Sequence, residues 1–235
     1  MPTDKPALVL LPGSLSDASL WREVAERLED VAAIAHADFA GLDDVRDMAA
    51  RVLASAPAGR FALAGFSLGG YVALDVVRRA PERVSHLALL DTMARPDAPE
   101  NEPRRRGNID RFVSDPRAVV EGFAGLTLGP STRPEIARQV VDMMLRFGPR
   151  DYVAQQFAML GRPDARPNLL AIRCPTLVLC GADDRATAPE ANREMAQAVR
   201  DAVYIELPGI AHMTPLEAPA EVAGALRELL ARRAA

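Results

Sequence analysis

The chain has 235 residues, 49% of them apolar, with a formal net charge of -4 at pH 7. That length and apolar share suit a single sizeable core. The acidic balance argues against a general nucleic-acid binder, whose phosphate contacts need a concentrated positive face. Cys174 and Cys180 bracket one predicted strand and would lie roughly 20 Å apart in extended chain, beyond disulfide reach. They read as free thiols, which fits a reducing, cytoplasmic setting. Met1 to Pro6 is polar, and the apolar run Ala7 to Leu11 is too short for a signal segment or a membrane span.

Short apolar runs recur along the chain at Ala7 to Leu11, Val31 to Ala37, Phe61 to Gly65, Val84 to Asp91, Thr176 to Cys180 and Ala202 to Leu207. They lack polar alternation, the mark of strands buried on both faces of a parallel sheet. Helical spacing falls between them: Leu20, Trp21, Val24, Ala25 and Leu28; Val45, Met48, Ala49, Val52 and Leu53; then Tyr71 to Arg79; and finally Val222, Leu226, Leu229 and Leu230. The alternation predicts a doubly wound α/β sheet of about six mainly parallel strands.

The rhythm breaks between Thr92 and about Asn168. A polar, proline-bearing stretch from Arg95 to Asn108 is followed by expected helices near Arg117 to Ala124, Pro134 to Arg146 and Arg150 to Leu160. This predicts a helical cap, residues 95–168, inserted into a core made of residues 1–94 and 169–235. Most of the cap's large apolar residues should pack on the core, with some, such as Phe123, Met143, Phe147 and Phe157, lining the roof of a pocket. The basic cluster Arg104-Arg105-Arg106 reads most simply as a solvated loop. Its functional reading is an anchor for an anionic substrate, with Arg106 a candidate.

Gly65-Phe66-Ser67-Leu68-Gly69-Gly70 stands between a predicted strand and a predicted helix. A serine with glycines two residues to either side in that setting is a nucleophile elbow: a tight, strained turn that lifts the hydroxyl to the tip of the strand. A serine hydroxyl needs a base, and the base needs an orienting group. Of the three histidines, His36 and His86 sit within or beside strands and read as structural. His212 lies in a loop after the last strand, at the same sheet edge as the elbow. Gly181-Ala182-Asp183-Asp184 follows the fifth strand and offers two acids for that edge, and Asp91 ends the fourth strand.

The order serine, acid, histidine along the chain resembles the α/β-hydrolase fold superfamily, and the resemblance spans nearly the whole chain. It rests on Gly65-x-Ser67-x-Gly69-Gly70, on Gly181-x-x-Asp184 with Pro189, and on Gly209-x-x-His212 with Pro215-Leu216-Glu217. It implies a triad of Ser67, Asp184 and His212, with Asp183 as fallback and Asp91 as a weaker alternative that shapes the pocket floor. It also implies an oxyanion hole from the amides of Leu68 and Ser14, although Pro12-Gly13 replaces the family's usual His-Gly and leaves Ser14 and Leu15 both open as donors. The chain begins at the first core strand, so the family's N-terminal hairpin is expected to be missing. The implied activity is hydrolysis of a small ester, thioester or lactone through an acyl-enzyme, with no metal or organic cofactor, acting as a monomer or homodimer. The same triad on this scaffold also serves carbon-carbon hydrolysis and elimination on carboxylate-bearing substrates, and a non-catalytic receptor is a third reading.

Overall fold

The structure, a computed structural model, describes residues 5–234. Its centre is a six-stranded, all-parallel sheet of β1 (Ala7–Leu11), β2 (Ala33–His36), β3 (Phe61–Phe66), β4 (Val84–Leu90), β5 (Thr176–Gly181) and β6 (Val203–Leu207). The strand order is β2-β1-β3-β4-β5-β6, so the chain reverses its direction of travel between β1 and β3. A crevice opens at the carboxyl ends of two strands where connections leave in opposite directions, and here that point is the Leu11 and Phe66 ends of β1 and β3.

Successive side chains of a strand face opposite layers, and both layers here are apolar. Leu8 and Leu10 of β1, Ala62, Ala64 and Phe66 of β3, and Ala88 and Leu90 of β4 enter one core. That core is closed by α1 (Arg22–Glu26) and α10 (Pro219–Ala231), which contribute Val24, Val222, Leu226 and Leu229. Val9, Leu11, Phe61, Leu63, Leu87 and Leu89 enter the other, against α2 (Val45–Ser55), α3 (Leu68–Arg79) and α8 (Pro189–Ala198). Because water reaches neither face, the strands carry no polar alternation.

Between β4 and β5 the chain builds four helices: α4 (Glu102–Ser114), α5 (Pro116–Thr127), α6 (Pro134–Met144) and α7 (Pro149–Leu160). The second half of the polar stretch from Arg95 to Asn108, with the basic cluster Arg104-Arg105-Arg106 expected as a solvated loop, is instead the start of α4. The helix starts where Pro103 fits a first helical turn, and its few apolar residues are well spaced: Ile109 and Phe112 meet the core, and Phe112 is fully buried with its ring 4.1 Å from that of Tyr152. Burial of a phenyl side chain supplies roughly 1.5–3 kcal/mol, enough to hold a helix whose composition alone would not predict it. The short α9 (Thr214–Glu217) completes the set. Cys174 and Cys180 are both free and buried, and among the described residues no helix is long and apolar enough to cross a membrane.

Candidate active site

The elbow has the strained backbone its composition implies. Ser67 sits at φ 51°, ψ -114°, a conformation that costs a non-glycine residue about 1–3 kcal/mol and holds only where the surroundings enforce it. Ser67 N–H donates to the Leu90 carbonyl at 3.0 Å, and Thr92 Oγ1 donates to the Ser67 carbonyl at 2.8 Å. The flanking glycines are steric necessities: a Cβ on Gly65 would strike the Gly69 carbonyl, and one on Gly69 would stand 2.5 Å from the Leu11 carbonyl. The turn after β1 also presses close, since a Cβ on Gly13 would lie 2.7 Å from the Phe66 ring and 3.3 Å from Ser67 Cβ.

His212 arrives from the loop after β6, its own N–H donating to the Thr127 carbonyl at 3.0 Å at the end of α5. Its Nε2 is 3.1 Å from Ser67 Oγ and its Nδ1 is 2.9 Å from Asp184 Oδ2. A carboxylate can only accept, so Nδ1 carries the proton toward Asp184 and Nε2 is left to accept from the serine hydroxyl. The Phe66 ring packs at 5.1 Å from the imidazole.

Asp184, in the turn after β5, is buried and fully engaged. Oδ1 accepts from the Ala186 and Thr187 amides at 2.8 and 2.9 Å, and Oδ2 accepts from Thr187 Oγ1 at 2.7 Å besides His212. Burial pushes this carboxyl up, but the neighbouring His212 and the hydrogen bonds from His212 and Thr187 outweigh it and leave Asp184 below the usual value. Asp183, the other acid of the turn, makes no hydrogen bond to the imidazole among the described residues.

Asp91 lies beneath this group. It is fully buried, its Oδ1 accepts from the Gly181 amide at 3.0 Å, and Thr214 Oγ1 donates to its Oδ2. Burial, then the charge of Asp184, pushes its carboxyl well above the ordinary value. Asp91, Asp184 and His212 each bring one potential metal-ligating atom within 4.8 Å of the others. Both imidazole nitrogens, however, already face Ser67 and Asp184, the bonding of a proton relay and not of a metal centre.

At the turn after β1, Leu15 (φ 53°) donates its N–H to Gln155 Oε1 at 2.8 Å, and Ser14 Oγ donates to the same oxygen at 2.9 Å. The Leu15 amide is therefore occupied. The amides of Ser14 and Leu68 have no acceptor among the described residues. Gln155, on α7, left no signal in the sequence. Thr187 did: a threonine three residues after an aspartate is the ordinary spacing of a side-chain-capped turn.

A cavity of about 780 Å³ adjoins the site, bounded by Ser14, Leu15 and Tyr71 at one end and by α4, α5 and α7 along its wall. Of the candidate lining residues, Phe123 faces it. Met143 is buried in the core, Phe147 packs against that core, and Phe157 is 40% exposed on α7. Arg106 pairs with Glu102 at 2.8 Å on the exposed face of α4 and does not line the cavity.

Residues 8–225 match the sequence profile of the alpha/beta hydrolase family. The chain belongs to that family. Among curated members it is similar to a pimeloyl-[acyl-carrier protein] methyl ester esterase of Chromobacterium violaceum, 29% identical over 178 residues covering 72% of this chain and 70% of the relative. A protein of the same description from Nitrosomonas europaea is 26% identical and covers 91% of both chains. Among solved structures, a thermophilic esterase of Thermogutta terrifontis, with malate bound, superposes with a TM-score of 0.88 at 30% identity, covering 97% of this chain and 90% of that one. An enol-lactonase of Burkholderia xenovorans shares the hydrolase fold, with a TM-score of 0.85 at 21% identity over 99% of this chain and 94% of its own.

Proposed function

We propose that this hydrolase cleaves a small carboxylic ester through an acyl-enzyme on Ser67. The reading is carried by one observation: the Ser67 hydroxyl, the His212 imidazole and the Asp184 carboxylate form an unbroken hydrogen-bonded line at a strained strand-helix turn. The esterases among the relatives, one of them 30% identical, support ester over other acyl substrates.

His212 Nε2 takes the Ser67 proton as Oγ attacks the ester carbonyl, and the resulting imidazolium donates to Asp184, which holds the tautomer and the charge. The oxyanion is received by the Ser14 and Leu68 amides, the two left without acceptors at this edge, and the positive end of α3 adds to the attraction. One such donor can contribute about 3 kcal/mol to lowering the barrier. His212 next protonates the departing alkoxide, and a water deprotonated by the same nitrogen releases the acid and restores Ser67. Residues 95–168 act as the cap that bounds the acyl cavity, whose volume suits a substrate of modest size.

A fluorophosphonate probe tests this directly. It should label Ser67 alone, and His212→Ala should slow the labelling at least a hundredfold, about the contribution of a general base. Absence of the Ser67 adduct, or labelling that ignores His212, overturns the reading.

A further inference from the structure

The cavity wall contains charge that neither the relay nor the fold neutralises. Its described lining carries six arginines and one carboxylate, Asp97; Arg95 pairs with Glu194 and Arg111 with Asp115, both outside the lining, and Arg185 donates to the Gly125 and Leu128 carbonyls, which leaves Arg104, Arg105 and Arg162 against Asp97. Arg105 donates to Asp97 Oδ2 at 2.5 Å and Arg162 donates to Asp97 Oδ1 at 3.3 Å, so two guanidinium groups share one acid. This cluster is deeply placed, with side chains 14% (Arg105), 4% (Arg162) and 4% (Asp97) exposed, and it keeps one positive charge in excess. Nothing else acidic lines the cavity to balance it. Arg104, at the rim one residue away, meets no carboxylate; its nearest polar partner is Asn101 Oδ1 at 3.4 Å. Beside them stands Tyr152, 4% exposed, lining the cavity with a hydroxyl that has no hydrogen-bond partner among the described residues. Burial pushes this phenol up to about 12 against the pull of Arg105 and Arg104, so it stays a donor at neutral pH.

An excess positive charge and a phenol hydroxyl that opens on the cavity without a protein partner can both be served by a single anionic ligand group. We infer that the α4–α7 wall is an anion subsite, in which Tyr152 and Arg104 receive a carboxylate or phosphate carried by the ester at a distance from its scissile carbonyl, with the Arg105–Arg162 excess charge behind them. The subsite rests on the ester-hydrolase reading for its substrate but not for its existence. It also assigns the basic run to two uses: Arg104 and Arg105 turn toward the cavity, and Arg106 turns to Glu102 and solvent.

The test compares kcat/KM for monomethyl adipate and methyl phosphonovalerate with that for methyl adipamate, a neutral analogue of similar length. The anionic esters should be preferred about tenfold or more, mainly through KM, as a charge-assisted contact predicts. Tyr152→Phe and Arg104→Gln should each lower the anionic-to-neutral ratio severalfold and together abolish the preference, while Arg106→Gln leaves the ratio as it was. Preference for the carboxylate over the phosphonate, or the reverse, identifies which anion the subsite takes. Turnover of methyl adipamate with no preference for either anion overturns the subsite and leaves the esterase standing. If no ester is turned over, calorimetric titration with adipate decides the subsite alone: binding weakened by Tyr152→Phe and Arg104→Gln upholds it, and no binding overturns it.

Discussion

The sheet edge and the helical wall facing it handle polar groups in opposite ways. At the edge the side chains of the line are all engaged: both oxygens of Asp184 are occupied, both nitrogens of His212 are directed, and Ser67 is held by Leu90 and Thr92, with only the Ser14 and Leu68 amides left open among the described residues. In the wall, Arg105 and Arg162 divide a single carboxylate, and the Tyr152 hydroxyl has no hydrogen-bond partner among the described residues although its ring stacks on Phe112. The first region is preorganised for one geometry, as chemistry on a developing charge requires. The second carries the charge and the open hydroxyl on which the proposed anion subsite rests. Gln155 links them, reaching from α7 to fix the Ser14–Leu15 turn.

Three experiments press on that contrast. The largest effect belongs to Asp184→Asn, which should lower kcat about ten-thousandfold while leaving KM for a neutral ester nearly unchanged, because the amide can impose the wrong imidazole tautomer. A loss below tenfold would mean that Asp91 supplies the acid and that the edge is less completely specified than its hydrogen bonds imply.

Next comes Gln155→Ala. It removes the acceptor shared by Ser14 Oγ and the Leu15 amide, and kcat should fall about tenfold to a hundredfold as the oxyanion turn loosens, a fraction of what loss of a whole donor costs. An unchanged kcat in steady-state assays would show that the turn after β1 keeps its shape without help from the wall.

The smallest effect concerns Asp91. Its carboxyl is raised in the folded protein by burial and by Asp184. The folded state therefore keeps the proton after the unfolded chain has lost it. That stabilisation is full below the ordinary carboxylate range and is lost as pH rises toward the folded value. Asp91→Asn keeps an acceptor for the Gly181 amide and abolishes the titration, while its amide N–H2 meets Thr214 Oγ1 as a donor once that hydroxyl turns to accept. As pH rises from about 4 to 7, above the ordinary carboxylate range, its urea midpoint should therefore gain on the parent's. A constant difference across that range would show that Asp91 does not titrate there.

Legibility in the sequence follows the same division. The six strands announced themselves because a parallel sheet buried on both faces demands uninterrupted apolar runs, and the predicted boundaries lie within two residues of β1 to β6. Ser67 was legible because only Gly65 and Gly69 can pass so close to neighbouring backbone, and His212 and Asp184 because both follow strands that end at the same edge. The helix α4 was not legible, since a segment as polar as Glu102–Ser114 is held by Ile109 and Phe112 packing on residues far along the chain.

Local composition alone thus determined the sheet, the elbow and the loops that carry Asp184 and His212, because backbone sterics and apolar periodicity act over a few residues. Tertiary structure alone decided the rest. Gln155 meets Ser14 across 141 positions and Arg105 meets Gln156 across 51. So the choice between Ser14 and Leu15, and the inward turn of Arg104 and Arg105 as against Arg106, depend on where helices dock, and hydrogen bonds between residues so distant leave no period in the sequence to read.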